Sequence, residues 1–163
     1  MSDRAEEYAW FFRTEFTSVV RTAYLVLHDV QRAEDVAQEA FTQLYIHWSK
    51  ISRYERPEAW VRRVAIRKAI KEQRRERRRA ELERVDTAAA RDPLSADLGL
   101  ADALRALAPQ QRAAIALFYL EDRPVLEVAG IIGCSPSTAK VHLHRGRQRL
   151  MEILGEEWVD DAI

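Results

Sequence analysis

The sequence contains a single cysteine, Cys134, so an intramolecular disulfide and any cysteine-rich metal site are excluded. Glycine and proline are also scarce, at 5 each, few for an all-β chain built on many tight turns. No apolar run approaches the ~20 residues of a membrane span, and no apolar leader segment follows Met1. A cytoplasmic protein without membrane insertion is expected. The four histidines, His28, His47, His142 and His144, are scattered without ligand-like spacing. No nucleophile–base pair, phosphate loop or metal cluster is evident, so neither catalysis nor a cofactor is expected. An excess of one charge sign is missing too: the formal net charge is +0.

That zero conceals an uneven distribution. Residues 1–59 carry 7 basic and 10 acidic side chains, a net of −3. Residues 60–84 carry 11 basic and 4 acidic, a net of +7, and residues 85–163 carry 8 basic and 12 acidic, a net of −4. A neutral chain with one strongly basic segment can hold a polyanion locally.

Leu, Ala, Glu and Arg dominate, and their spacing is helical. From Glu6 to about His28, Tyr8, Phe11, Phe12, Phe16, Val19, Val20, Ala23 and Leu27 recur at three- and four-residue steps. Asp29 is placed to cap a second helix, about Arg32 to Trp48, with Ala33, Val36, Ala37, Ala40, Phe41 and Leu44 inward. Ser49–Arg56 is expected to be a loop. Pro57 then suits a first helical position, followed by an apolar side at Trp60, Val61, Val64, Ala65 and Ala69. From about Ala80 to Leu100 the periodicity fades, as expected of a linker, and it resumes over Leu100–Leu107 and after Pro109. The expected fold class is all-α: two small helical domains, residues 1–80 and 101–155, joined by a linker at 81–100. An acidic tail at 156–163 completes the chain.

The last two expected helices, Val125–Ile132 and Pro136–Leu154, form a helix-turn-helix pattern. Such a motif needs a small residue at the crossing, a turn residue tolerant of positive φ, and apolar anchors. Ala129, Gly133, and Val128, Ile132, Ala139 and Leu143 fill those positions. The opposite face offers Lys140, Val141, His144, Arg145, Arg147 and Gln148, with Ser137 and Thr138 near the start. Residues 135–150 hold four Lys or Arg and no acid. A helix of this kind can enter a major groove, although a helical hairpin with a solvated basic face fits the same pattern.

Three stretches in order carry a wider resemblance: RTAYLVLHDVQRAEDVAQEAFTQLY (21–45), RPEAWVRRVAIRKAIKEQRRERRR (56–79) and LAPQQRAAIALFYLEDRPVLEVAGIIGCSPSTAKVHLHRGRQRL (107–150). Together they resemble regions two and four of the extracytoplasmic-function (ECF) sigma factors of bacterial RNA polymerase, over about residues 8–154. The resemblance implies a subunit that binds core polymerase and directs promoter-specific initiation in response to stress or envelope signals, often under an anti-sigma factor. A stand-alone helix-turn-helix regulator that does not bind polymerase is the alternative.

On this resemblance, Asp35, Gln38, Glu39, Phe41 and Leu44 match the surface that grips the clamp helices of the largest polymerase subunit, and the flap region is a second polymerase contact. On pattern alone, Phe41 and Leu44 equally suit the core. Ser52, Tyr54, Arg56 and Trp60 fall where the family captures an extruded base of the minus-ten element, although Trp60 also suits core packing. Arg63, Arg67, Lys71, Arg74 and Arg75 would follow the DNA backbone, unless the interleaved Glu72, Glu76, Glu81 and Glu83 neutralise them. Ser137, Thr138, Lys140, Val141, His144, Arg145, Arg147 and Arg149 match positions that contact the minus-thirty-five element.

Several residues depart from the family pattern. Arg67 stands at the usual Asn and Lys71 at a frequent Asp, and both add positive charge where DNA is expected. Ser137-Thr138 replaces a common Gly-Thr, and Val141-His142 replaces a usual Ser-Arg. Val141 has no hydrogen bond to donate, so a contact there is apolar, of the kind a thymine methyl makes. His142 suits either a pH-sensitive contact or a structural role, and Cys134 suits a buried structural thiol.

Overall fold

The computed structural model describes residues 3–84 and 99–155. Most of the expected linker (residues 85–98) and the acidic tail lie outside the described residues. Helices α1 (Asp3–Leu27), α2 (Val30–Ile46) and α4 (Pro57–Arg84) pack together, with one helical turn, α3 (Trp48–Ile51), between the last two. Of the stripe expected on α1, Phe11, Val19, Ala23 and Leu27 are buried and Tyr8, Phe12, Phe16 and Val20 half-buried against the core, which also takes Val26. Opposite it α2 presents Ala33, Val36, Ala37, Ala40, Phe41 and Leu44, and α4 adds Val61, Ala65, Ile66, Ala69 and Ile70. Buried alanines on all three helices allow close approach. The larger side chains each contribute about 1.5–3 kcal/mol on burial.

Local chemistry sets the helix ends. His28 adopts a left-handed φ of 52°, which ends α1. Asp29 then caps α2, its carboxylate accepting from Arg32 N at 3.0 Å. Two features differ from the sequence expectation. The Ser49–Arg56 loop begins as the helical turn α3, which the buried Trp48 and Ile51 pin to the core. Helix α4 continues beyond Ala80 to Arg84, although Glu81, Leu82 and Glu83 are exposed. An exposed stretch carries no apolar period to read, and the high helix propensity of Glu, Leu and Arg suffices.

The second domain comprises α5 (Leu100–Arg105), α6 (Pro109–Ile115), a π-helical turn (Ala116–Leu120), α7 (Val125–Ile132) and α8 (Pro136–Leu154). Helices α7 and α8 have the bounds expected from the sequence. Gly133 sits between them at φ 87°, and Ser135 caps α8 by accepting from Thr138 N at 3.2 Å. The Arg112 guanidinium on α6 is buried. It donates to Leu104 O at 2.7 Å, Arg105 O at 2.5 Å and Leu107 O at 3.4 Å, satisfying carbonyls around the end of α5. Its remaining arm reaches Val26 O, in the last turn of α1, at 2.5 Å. Burial, with the nearby Arg77 and Arg105 cations, pulls its pKa down to about 10. The second domain docks through α6, the π-helical turn and α7 onto α1 and α4.

Two predictions follow from this packing. Gly146 marks the crossing of α8 on α6: a Cβ there would lie 2.8 Å from Ile115 Cγ1 and 3.2 Å from its Cδ1. Ile115 is buried and β-branched, so it has little freedom to move. Gly146→Ala should destabilise the fold by about 1–3 kcal/mol despite the better helix former, seen as a lower thermal midpoint. The second prediction concerns His28, whose pKa falls to about 4 through desolvation first and the Arg112 and Arg105 cations second. The unfolded chain takes up this proton below pH 6.5, the folded chain only near pH 4. Stability is therefore lost as pH falls through that window. His28→Asn, which tolerates the same φ, should flatten the decline in thermal midpoint between pH 6.5 and 5.

Candidate nucleic-acid interface

Helix α8 turns one face inward and the other to solvent. Ala139, Leu143, Gly146 and Leu150 are buried, whereas Ser137, Thr138, Lys140, Val141, His144, Arg145, Arg147 and Arg149 are all exposed. The eight candidate residues therefore share one accessible face. Arg149 pairs with Glu152 at 3.0 Å, and Arg147 lies 5.8 Å from the centre of the Tyr119 ring. His142 is half-buried at the edge of that face. Desolvation, with the Arg145 and Arg74 cations, lowers its pKa from the ordinary histidine value. Cys134 is half-buried in the turn, its thiol pKa pushed up by burial, and its N–H donates to Ala129 O at 3.0 Å. That environment disfavours a thiolate.

The second basic surface lies along α4 and the segment before it. Tyr54 and Arg56 are exposed, Ser52 is half-buried, and Trp60 is half-buried with part of its ring against the core. Arg63, Arg67, Lys71, Arg74 and Arg75 are exposed. Glu72 and Glu76 pair with Arg32 of α2 at 3.3 and 3.5 Å rather than with the cations of their own helix. Among the described residues Arg63, Lys71, Arg74 and Arg75 form no ion pair.

A third surface is polar. A groove of about 590 Å³ is lined by Asp35, Gln38, Glu39, Thr42, Gln43, Lys68 and Glu72. Asp35 accepts from Gln31 Nε2 at 3.0 Å, and Glu39 pairs with Lys68 at 3.3 Å. Phe41 and Leu44 do not belong to this surface. They are 1% and 0% exposed and lie in the core beneath it, because they fall on the opposite side of α2. Thr42 and Gln43 were missed from sequence, although 35, 38, 39 and 42 share one helical face. Lys68 and Glu72 come from another helix, and no local pattern could have joined them to it.

Comparison with known proteins places the chain in a family. The Sigma-70 region 2 model matches residues 11–79, and the Sigma-70 region 4 model matches residues 98–150. The RNA polymerase sigma-E factor of Streptomyces avermitilis is 31% identical over 158 residues, covering 94% of this chain and 88% of that protein. The chain is a sigma factor of the ECF group. The sigma-E factor of Streptomyces antibioticus is 32% identical over 152 residues, covering 91% and 84% of the two chains. The sigma factor CarQ of Myxococcus xanthus is 31% identical over 131 residues, covering 76% and 75%. The fold matches the sigma factor RpoE from Bartonella quintana, crystallised in complex with the anti-sigma factor NepR. The TM-score is 0.67 at 23% identity, over 91% of this chain and 97% of that one.

As a sigma factor the protein acts in transcription initiation, and the match of both regions sets aside the stand-alone regulator. Among the described residues, no helix of this sigma factor is long and apolar enough to cross a membrane.

Proposed function

We propose that residues 1–80 bind core polymerase and capture the minus-ten element, and that residues 101–155 read the minus-thirty-five element. The segment 81–100 spans between them, and the chain performs no bond-making chemistry of its own. The observation that carries this reading is the division of α8 into a buried apolar face and an exposed face holding all eight candidate contacts. Lys140, Val141, His144 and Arg145 would address base edges, with Ser137, Thr138, Arg147 and Arg149 on phosphates. Asp35, Gln38 and Glu39 would meet the clamp helices through an acidic-polar face suited to a partly basic helical partner. Phe41 and Leu44 would support that face from below. An anti-sigma partner is supported by the complex in which the related RpoE was crystallised. A cytoplasmic location follows from the same reading.

Reconstitution with core polymerase on a promoter library tests the proposal. Promoter-specific initiation is expected, and failure to bind core, or initiation at no promoter sequence, would overturn it. Replacing Asp35 and Gln38 together by alanine should weaken core binding by about tenfold or more. Binding of a minus-thirty-five duplex should stay unchanged, as read by fluorescence anisotropy. On that duplex, Arg147→Ala should lower the slope of log affinity against log salt by about one and leave sequence preference intact. Lys140→Ala should relax the preference at one base position.

A further inference from the structure

Two guanidinium groups meet at one carbonyl oxygen where the later turns of α4 pass the α5–α6 corner. Arg77 Nη1 donates to Leu107 O at 3.3 Å, and the buried Arg112 donates to the same oxygen at 3.4 Å. Among the described residues neither cation has an ion pair. Like charges held this close repel, and the Arg77 cation follows desolvation among the causes that lower the Arg112 pKa to about 10. Further cations stand beside them. Arg77 and Gln111 line a groove of about 390 Å³ that α8 also lines, through Arg145, Gln148 and Arg149. Glu152, the one carboxylate among the described residues lining it, is taken by Arg149 at 3.0 Å. Arg145 has no acidic partner among the described residues.

We propose that this groove is a binding site for an anion carrying a chain of phosphates, held by Arg77 of the first domain and by Arg145 and Arg149 of the second. The donor set favours phosphate over a lone carboxylate. A guanidinium engages phosphate oxygens in pairs through its planar fork. Three such forks, on two helices, exceed what one carboxylate can satisfy, whereas a di- or triphosphate spreads its oxygens along a chain. Gln111 and Gln148 add neutral amide donors. Arg77 has five N–H donors, of which the bond to Leu107 O uses one. A bound anion would also offset the repulsion between Arg77 and Arg112. Arg145 and Arg149 belong to the α8 face proposed for the minus-thirty-five duplex, so the phosphate chain and the duplex exclude each other there. That competition rests on the proposed assignment of α8, while the groove itself does not.

Calorimetric titration of the full chain tests the site, with sodium tripolyphosphate, adenosine triphosphate and, as a single-anion control, sodium sulfate. Divalent metal is left out and ionic strength is held constant. Tripolyphosphate should bind one to one, at least about tenfold more tightly than sulfate. Equal affinity for the nucleotide assigns recognition to the phosphate chain alone, and tighter binding of it assigns a phosphate-bearing nucleoside. Arg77→Ala should weaken tripolyphosphate binding about tenfold and leave affinity for the minus-thirty-five duplex unchanged. Gln111→Glu, which sets a carboxylate in the groove, should act in the same direction and serves if the first variant does not fold. Tripolyphosphate should weaken duplex binding by the unsubstituted chain beyond the ionic-strength control, and not by Arg77→Ala. Absence of saturable binding, an affinity no better than that of sulfate, or two variants that bind as the unsubstituted chain does would each overturn the site. Loss of duplex affinity in Arg77→Ala would give the groove to the DNA backbone instead. Binding seen only after removal of residues 156–163 would give it to the carboxylates of that segment, and either result overturns the proposal. If no form binds duplex, the minus-thirty-five assignment fails, while calorimetry still decides the groove.

Discussion

A guanidinium with almost no access to water persists only where acceptors surround it, and the arrangement of this chain depends on one such group. Arg112 is 1% exposed and donates to four backbone carbonyls, three around the end of α5 and one in the last turn of α1. Removing a buried charge's partners is far costlier than breaking an exposed pair. The α5–α6 corner is thereby fixed to the end of α1. That fixes the direction of α6, and with it the placement of α7 against α4. A lysine could not substitute, because its three N–H groups radiate from one point, whereas the planar guanidinium spreads five.

What the sequence made legible was decided by the range of the interactions. The bounds of α7 and α8 were readable because proline, a glycine at φ 87° and a serine cap are local devices, each complete within four residues. Asp29 before α2 is another. The stripe on α2 named its buried residues, and that on α1 most of its inward face apart from Val26, since a helical period is a statement about burial. The same stripe contradicted the surface role that the family resemblance suggested for Phe41 and Leu44, and burial follows the stripe. The partners of Arg112 were not legible. In sequence it is one letter of P-x-x-R-A, and its acceptor on α1 lies 86 residues away. The docking of α7 on α4 was hidden for the same reason: a cleft has two walls, and each wall alone resembles an ordinary helix face.

The zero net charge becomes informative once the pairs are placed. Glu72 and Glu76 look in sequence like neutralising neighbours of Lys71, Arg74 and Arg75. In the fold they reach across to Arg32 and tie α4 to α2. The acids are used in packing, and the cations are left facing outward. The protein thus keeps its charges balanced overall while presenting a polar, partly acidic groove beside α2 and basic faces on α4 and α8. Fields that cancel at a distance remain distinct within a Debye length of about 8 Å, the range over which a docked partner or a DNA strand samples them.

Arg67 joins the departures from the family pattern to the packing of α7 on α4. Asparagine, usual at this position, is too short to cover the distance from α4 to Gly130 O and also lie across Gly133. Arginine reaches, and Gly133 leaves room for its guanidinium because it carries no Cβ. The same N–H groups that bond the carbonyl are those a phosphate or base would need. A single set of donors cannot serve both acceptors with good geometry, so the bond to α7 excludes another acceptor at the same N–H. Lys71, one turn later, is different: it is exposed and forms no ion pair among the described residues. The two departures add the same charge, but only Arg67 also ties the two domains together through its bond to Gly130 O.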